Sequence, residues 1–416
     1  MSFVFIENCD PVEMDEFVEN HEQNSLYQCS KWAEVKNNWG HFFVCIKDED
    51  KIVATALILK RSFPLGKCLF YIPRGPVMDY KNHELVSFMF SSLKKLAKQH
   101  HAIAIRFDPN VLSRKYPYKE VNDDHSLDNT DVIDFLKSID AKHKGYTKFI
   151  SESTQPRFNA VMCPDHYMDK LDHKVKQSIH TAERKGAEFY EGHEYIHEFA
   201  QAMKYTEERK GVALRNEAYF KNMADIYGDH CIIMVAKLNF PRQIQKLEKE
   251  IEDAKKQLEE TPYKKQKNAF QQTINNSSKE LKILKEEYQK EGQDEIILSG
   301  KLAIFNKNRM EFVYAGNNAE YLRIRTIYAL YAKYFDISEK LGIHYVSMGG
   351  IEGSLTDGLT KFKSSWNMEI EEYIGEFNIV LDTIMYTAFD YLYPKLLKLV
   401  AKKKTGKNLV TVETKK

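Results

Sequence analysis

The sequence predicts an α/β protein made of two similar units related by internal duplication, with an inserted antiparallel coiled-coil helical arm. Three observations predict it. The order hairpin, strand, helix, strand occurs twice along the chain. A heptad-patterned insert stands where the turn of the second hairpin would be. The chain has 416 residues, 43% apolar and 12% aromatic, enough to bury a core in each unit.

In the first copy, "FFVCIKDEDKIVATALILK" (residues 42–60) is a pair of β-branched and aromatic runs around a charged turn. A further strand, "CLFYIPRGPVMDY", follows. Next, "HELVSFMFSSLKKLAKQHHAIAIRFDPN" gives an amphipathic helix through Leu85, Phe88, Met89, Leu93 and Leu96, then a strand ending at Asp108. The second copy repeats the order. "CIIMVAKLNF" and "EIILSGKLAIF" form the hairpin, "MEFVYAG" the third strand, "YLRIRTIYALYAKYFDISEKLG" the helix and "IHYVSMGG" the closing strand. Two such units packed together place a site at their junction.

The insert carries two apolar stripes. Ile244, Leu247, Ile251, Ala254 and Leu258 form one; after Thr261 and Pro262, Phe270, Ile274, Ser277, Leu281, Leu284 and Tyr288 form the other. Such helices reach roughly 30 Å from the body at 1.5 Å per residue. The second is rich in lysine, which suits a solvated coiled-coil face or a nucleic-acid contact. The units run over residues 1–150 and over 151–240 with 296–390, the arm over 241–295, and a basic tail over 391–416.

Charge is balanced, 61 basic residues against 60 acidic, so a polyanion must be met by local patches rather than by a global field. Six cysteines are scattered with no CxxC pair, which fits reduced thiols in a cytoplasm better than a disulfide framework. The beginning "MSFVFIENCD" lacks a signal-peptide pattern, and no stretch approaches eighteen apolar residues. The expectation is a cytoplasmic protein. "YPKLLKLVAKKKTGK" is basic and partly amphipathic, so it reads either as an unstructured tail or as a contact with an anionic inner leaflet.

One motif points elsewhere. His193, Glu194 and His197 have HExxH spacing, and Glu217 lies where some zinc peptidases take a third ligand. Yet Glu191 and Gly192 precede the motif and Glu198 follows it, where a zinc helix is largely buried. A solvent-facing helix start is the competing reading, and the expected metal content is none.

Several short stretches, in order, resemble the Fem family of non-ribosomal aminoacyltransferases that build peptidoglycan cross-bridges, in particular its staphylococcal Fem-like members. They are "QCSKWAEVK", "YIPRGPVMDY", "IRFDPN", "SIHTAERKGAEF", "LRNEAYF" and "GLTKFKSSWNMEIEEYIGEF". The resemblance covers nearly the whole chain and implies a pair of acetyltransferase-like (GNAT-like) subdomains with a helical arm. "VSMGGIEGSLTD" matches the family's Gly-rich loop only loosely, and the pyrophosphate loop of CoA-dependent acetyltransferases is not evident. No CoA or other cofactor is implied.

What the resemblance implies is transfer of glycine or serine from aminoacyl-tRNA to an amine of a peptidoglycan precursor, nucleotide- or lipid-linked, alongside homologous Fem partners. It gives Lys36 and Arg215 as a clamp on the precursor diphosphate, lined by Trp32, Tyr219 and Tyr314, any of which also suits a core. Asp108 is the carboxylate that orients or deprotonates the amine, or else a turn cap before Pro109. Lys363, after Phe362, meets the reacting carbonyl or a phosphate, or is one more surface lysine. Competing readings are a zinc metallopeptidase and a tRNA-binding coiled-coil module without catalysis.

Overall fold

In the computed structural model, which describes residues 2–211 and 215–389, each predicted copy becomes a twisted mixed sheet. The first sheet runs Phe3–Ile6, Gly40–Asp48, Lys51–Ser62, Cys68–Ile72, Ala102–Phe107, Phe377–Val380, Lys142–His143, with Val77–Met78 pairing beside Lys51–Ser62. The second runs Ala187–Glu191, Cys231–Asn239, Glu295–Phe305, Met310–Asn317, Val346–Ile351, Phe158–Met162, Glu369–Tyr373, Leu112–Pro117. The helix His83–Gln99 buries Leu85, Met89, Leu93 and Leu96 against the first sheet, and Asn82 caps it by accepting from the Leu85 amide. Thr326–Lys340 is its counterpart on the second sheet.

The two sheets exchange strands. Leu112–Pro117 leaves the first unit to pair with Glu369–Tyr373 in the second, while Phe377–Val380 returns to lie beside Ala102–Phe107 in the first. Sheet membership therefore departs from chain order at two places. A third core joins the units: Trp32, Leu57 and Tyr71 pack with Phe220, Ile233 and Leu302 from the other half.

Each sheet holds one parallel pair. Cys68–Ile72 and Ala102–Phe107 run in register from Leu69 with Ala104 to Ile72 with Phe107, so Arg74 and Asp108 emerge just past the same end. In the second sheet only Met310 with Val346 and Glu311 with Ser347 are paired. The chain then shifts register between Ser347 and Gly349, and Gly349 takes φ +84°. The strands part there, which leaves room between them.

The arm is a helical hairpin, Phe240–Glu260 and Lys264–Glu291. Leu247, Ile251, Ala254, Ser277 and Leu284 form its buried seam, as the stripes predict. Arg323 pairs with Glu280 and Glu287 and ties the base to the second unit. One expected helix is shorter than its pattern. The run from Tyr321 is not continuous, because Arg325 sits at φ 65° and separates a 3₁₀ segment, Ala319–Ile324, from the α-helix starting at Thr326. The basic tail at 391–416 lies outside the described residues.

Candidate functional site

The site forms where the units meet, in three connected parts. The first is a cationic, aromatic corner. The short helix Ser30–Val35 buries Trp32 and ends at Lys36, whose ammonium lies 4.5 Å over the Trp32 ring and donates to the Tyr219 hydroxyl at 3.4 Å. Arg215 precedes the helix Glu217–Tyr227, and its guanidinium lies 4.7 Å over the same Tyr219 ring. Tyr314 meets Tyr219 edge-on from the strand Met310–Asn317. Burial, with help from Arg215, pushes the Lys36 ammonium down to about 8. Among the described residues neither cation has a carboxylate partner. Two like charges held together without a counter-ion make an anion receptor.

Tyr27 links this corner to the second part. Its ring meets Trp32 edge-on at 4.8 Å, and it also lines a cavity of about 160 Å³ at the parting of the strands. Arg74, Asn159, Arg309, Gly349 and Gly350 are further walls. Lys363 stands behind the glycines. The helix Gly358–Ser364, capped by Asp357, aims its buried ammonium at the carbonyls of Gly349 and Gly350, at 2.9 and 3.0 Å. A Cβ at Gly349 would sit 3.7 Å from the Lys363 ammonium nitrogen. Phe362 turns the other way and packs edge-on against Tyr328 and Tyr331.

The third part is the pair Arg74 and Asp108. Asp108 is 3% exposed; Tyr71 donates to its Oδ1 at 3.0 Å, and Arg74 Nη1 lies 3.7 Å from Oδ2, an oxygen with no hydrogen bond. Burial raises its carboxyl to about 7 against the opposing pull of Arg74. Arg74 lies 3.9 Å over the Tyr373 ring, donates to the Pro156 carbonyl and faces the cavity, so Asp108 meets it through Arg74.

Several site residues escaped the sequence reading. Arg74 lies inside a quoted motif, whereas Arg309, in the turn "NKNRM", is held by Glu311, the Asn24 carbonyl and Tyr345, contacts no local pattern announces. Lys301 is a polar residue within the apolar run "EIILSGKLAIF"; it is 1% exposed, with its ammonium nitrogen 3.6 and 3.7 Å from the Phe312 and Tyr331 ring centres. Burial, aided by Lys363, holds this amine well below the ordinary lysine value.

The HExxH spacing does not become a zinc site. His193 lies in a 3₁₀ turn, His193–Tyr195, before the α-helix begins at Ile196, so the two imidazoles do not share a helical face. His193 Nε2 contacts the Cys231 carbonyl, while His197 pairs with Glu217 in solvent. Among the described residues the convergent ligand-type trio is Glu120, Asp123 and His125, on a different, largely exposed loop.

Two mixed sheets that exchange strands, with an inserted helical arm and an arginine-lined cavity where they meet, define a two-unit α/β protein of the architecture seen in FemX. The chain belongs to the FemAB family, whose model matches residues 10–394. Among curated proteins it is 29% identical to a lipid II:glycine glycyltransferase of Staphylococcus aureus (strain bovine RF122 / ET3-1), covering 93% of this chain and 95% of the relative. The counterpart from strain USA300 is equally similar over the same shares. Among solved structures, the crystal structure of FemX is 25% identical with a TM-score of 0.70, covering 93% of this chain and 99% of that one.

Proposed function

We propose that this protein is an aminoacyltransferase that moves glycine or serine from aminoacyl-tRNA to the amine of a lipid-linked peptidoglycan precursor. The observation that carries the reading is the Lys36 and Arg215 pair, which has no carboxylate partner among the described residues, beside a cavity backed by Lys363. The names of the Staphylococcus aureus relatives, which specify lipid II and glycine, support it. In this reading the precursor diphosphate binds Lys36 and Arg215 against Trp32, Tyr219 and Tyr314, while its stem passes Tyr27 into the cavity.

The ester of an aminoacyl-tRNA is already activated, so placing amine and carbonyl together supplies much of the acceleration. The attacking nitrogen loses a proton, the tetrahedral intermediate carries an oxyanion, and the leaving ribose oxygen takes a proton as its bond to carbon breaks. Lys363 stabilises the oxyanion once it gives up one of its two glycine carbonyls. Phe362 anchors the helix that aims it. Asp108, whose carboxyl is raised to about 7, orients the amine through Arg74 at the cavity wall, or takes its proton directly once Arg74 swings aside. The arm is assigned to tRNA and, with the units at 1–150 and at 151–240 with 296–390, to its own folding segment, 241–295. A cytoplasmic setting fits charged tRNA, and no described helix is long and apolar enough to cross a membrane.

Incubation with glycyl- or seryl-tRNA and lipid-linked precursor tests this directly. A mass increment of one residue on the precursor is expected. Binding of charged tRNA with no increment for any amino acid would leave a tRNA-binding module instead.

A further inference from the structure

Among the described residues the two most exposed large apolar side chains are Leu65, at 87%, and Ile384, at 82%. They belong to one face. The turn Pro64–Gly66 joins the strands Lys51–Ser62 and Cys68–Ile72, and the helix over 383–389 lies alongside it. Phe63 stacks on Phe389 at 4.6 Å, Lys67 pairs with Asp382 at 2.9 Å, and Phe63, Met385 and Phe389 cover Leu69 and Ile103 beneath.

Leu65 is unfavourable twice over in an isolated protein. Its side chain stands in water, and its backbone is left-handed at φ 64°, a conformation that costs a leucine but not a glycine or an asparagine. Among the described residues Leu65 joins no hydrophobic core that would compensate. A partner that receives the side chain would.

The charge around the tip says which partner. Lys60 lies on the strand before the turn, and Lys67, paired with Asp382, directly follows the turn. After the helix, residues 390–416, which lie outside the described residues, hold eight lysines against two acids, Asp390 and Glu413. Exposed apolar side chains followed in the chain by a lysine-rich segment suit an anionic bilayer: the apolar groups enter the headgroup boundary while lysines meet lipid phosphates.

We infer that the face bearing Leu65 and Ile384 docks the protein on an anionic lipid surface. The inference rests on the lipid-linked acceptor proposed above, which would hold the substrate at such a surface. It concerns a face built over the first sheet by Leu65 and the helix at 383–389, separate from the residues assigned to transfer.

The test is flotation of the full chain with vesicles of phosphatidylcholine alone or with 30% phosphatidylglycerol (~30 mol%, a composition that gives a strongly anionic surface). Binding to the anionic vesicles, reduced by salt, is expected. The double variant Leu65→Glu, Ile384→Glu should bind at least ~10-fold more weakly, as loss of two inserted apolar groups requires. Leu65→Asn should keep or raise Tm, because asparagine tolerates the left-handed backbone, and still weaken binding; a tip of purely structural importance would not behave so. Removal of 391–416 separates tail from face. If the double variant floats like the wild type and only the truncation fails, the tail alone binds and the inference is overturned. It is equally overturned if the wild type ignores anionic vesicles, or if Leu65→Glu merely turns a dimer into monomers. Transfer to detergent-solubilised precursor should be unchanged in all face variants. Vesicle binding without any transfer would refute the proposed function alone, and transfer without vesicle binding would refute the docking face alone.

Discussion

The Lys36 ammonium and the Arg215 guanidinium, one from each unit, both rest against the single ring of Tyr219, at 5.7 and 4.7 Å from its centre. The ring and Trp32 hold the two cations near each other without neutralising them. If they clamp one diphosphate, Lys36→Ala or Arg215→Ala should weaken precursor binding by roughly 10- to 150-fold, the equivalent of about 1.5–3 kcal/mol for a charged hydrogen bond. Isothermal titration with the precursor measures this. Unaltered affinity in both variants would remove them from the site.

The same pair gives a pH dependence. Lys36 is held at about 8, so the free protein loses this charge as pH rises through that value, and precursor binding should weaken above it. Lys36→Arg should bind evenly up to pH ~10, since a guanidinium stays charged. A wild-type affinity flat from about pH 7 to 10 would contradict the assignment.

Asp108 should set an acid limb. With its carboxyl raised to about 7, turnover per encounter should fall as pH drops through neutrality and the carboxylate takes a proton. Asp108→Asn should lack that limb. If the residue removes a proton, raising the pH should partly restore the variant with an amino-terminal glycine acceptor, because that amine has a reference pKa near 8. If it only positions, pH will not help.

Lys363→Met should lower kcat by about 10²-fold or more while leaving precursor affinity intact, as loss of one oxyanion donor commonly does. Added salt should imitate loss of the partly exposed clamp but not loss of this buried group. A variant with normal kcat would place the oxyanion elsewhere.

Lys301 offers a stability test. Its folded amine prefers to be neutral, so the folded state binds fewer protons than the unfolded chain. Stability is therefore lost as pH falls from the ordinary lysine range toward the lowered value, at about 1.4 kcal/mol per pH unit in that window. Lys301→Met should melt higher than the wild type at pH ~7, and the gap should close toward pH ~10. A gap that does not change with pH would mean the amine is already charged in its aromatic cage.

The sequence by itself determined the local elements. The apolar, β-branched runs "CIIMVAKLNF" and "EIILSGKLAIF", the stripe from Leu85 to Leu96 and the heptads of the arm are near-neighbour signals, and each became the expected strand or helix. Arg325 was an exception, since a left-handed backbone at a non-glycine residue leaves no periodic trace. Motif resemblance also named Lys36, Arg215, Tyr219 and Tyr314 without showing that they touch. Tertiary structure alone decided the rest. It sent Leu112–Pro117 and Phe377–Val380 into the opposite sheets, parted the strands at Gly349, and put Arg74 between Asp108 and the cavity. It also separated His193 from His197, whose spacing would have matched a zinc helix had the helix begun three residues earlier. The physical reason is common to all these cases. Hydrophobic period acts over a few residues, whereas strand exchange, burial of a charge and the meeting of Lys36 with Arg215 depend on which distant surfaces exclude water from each other.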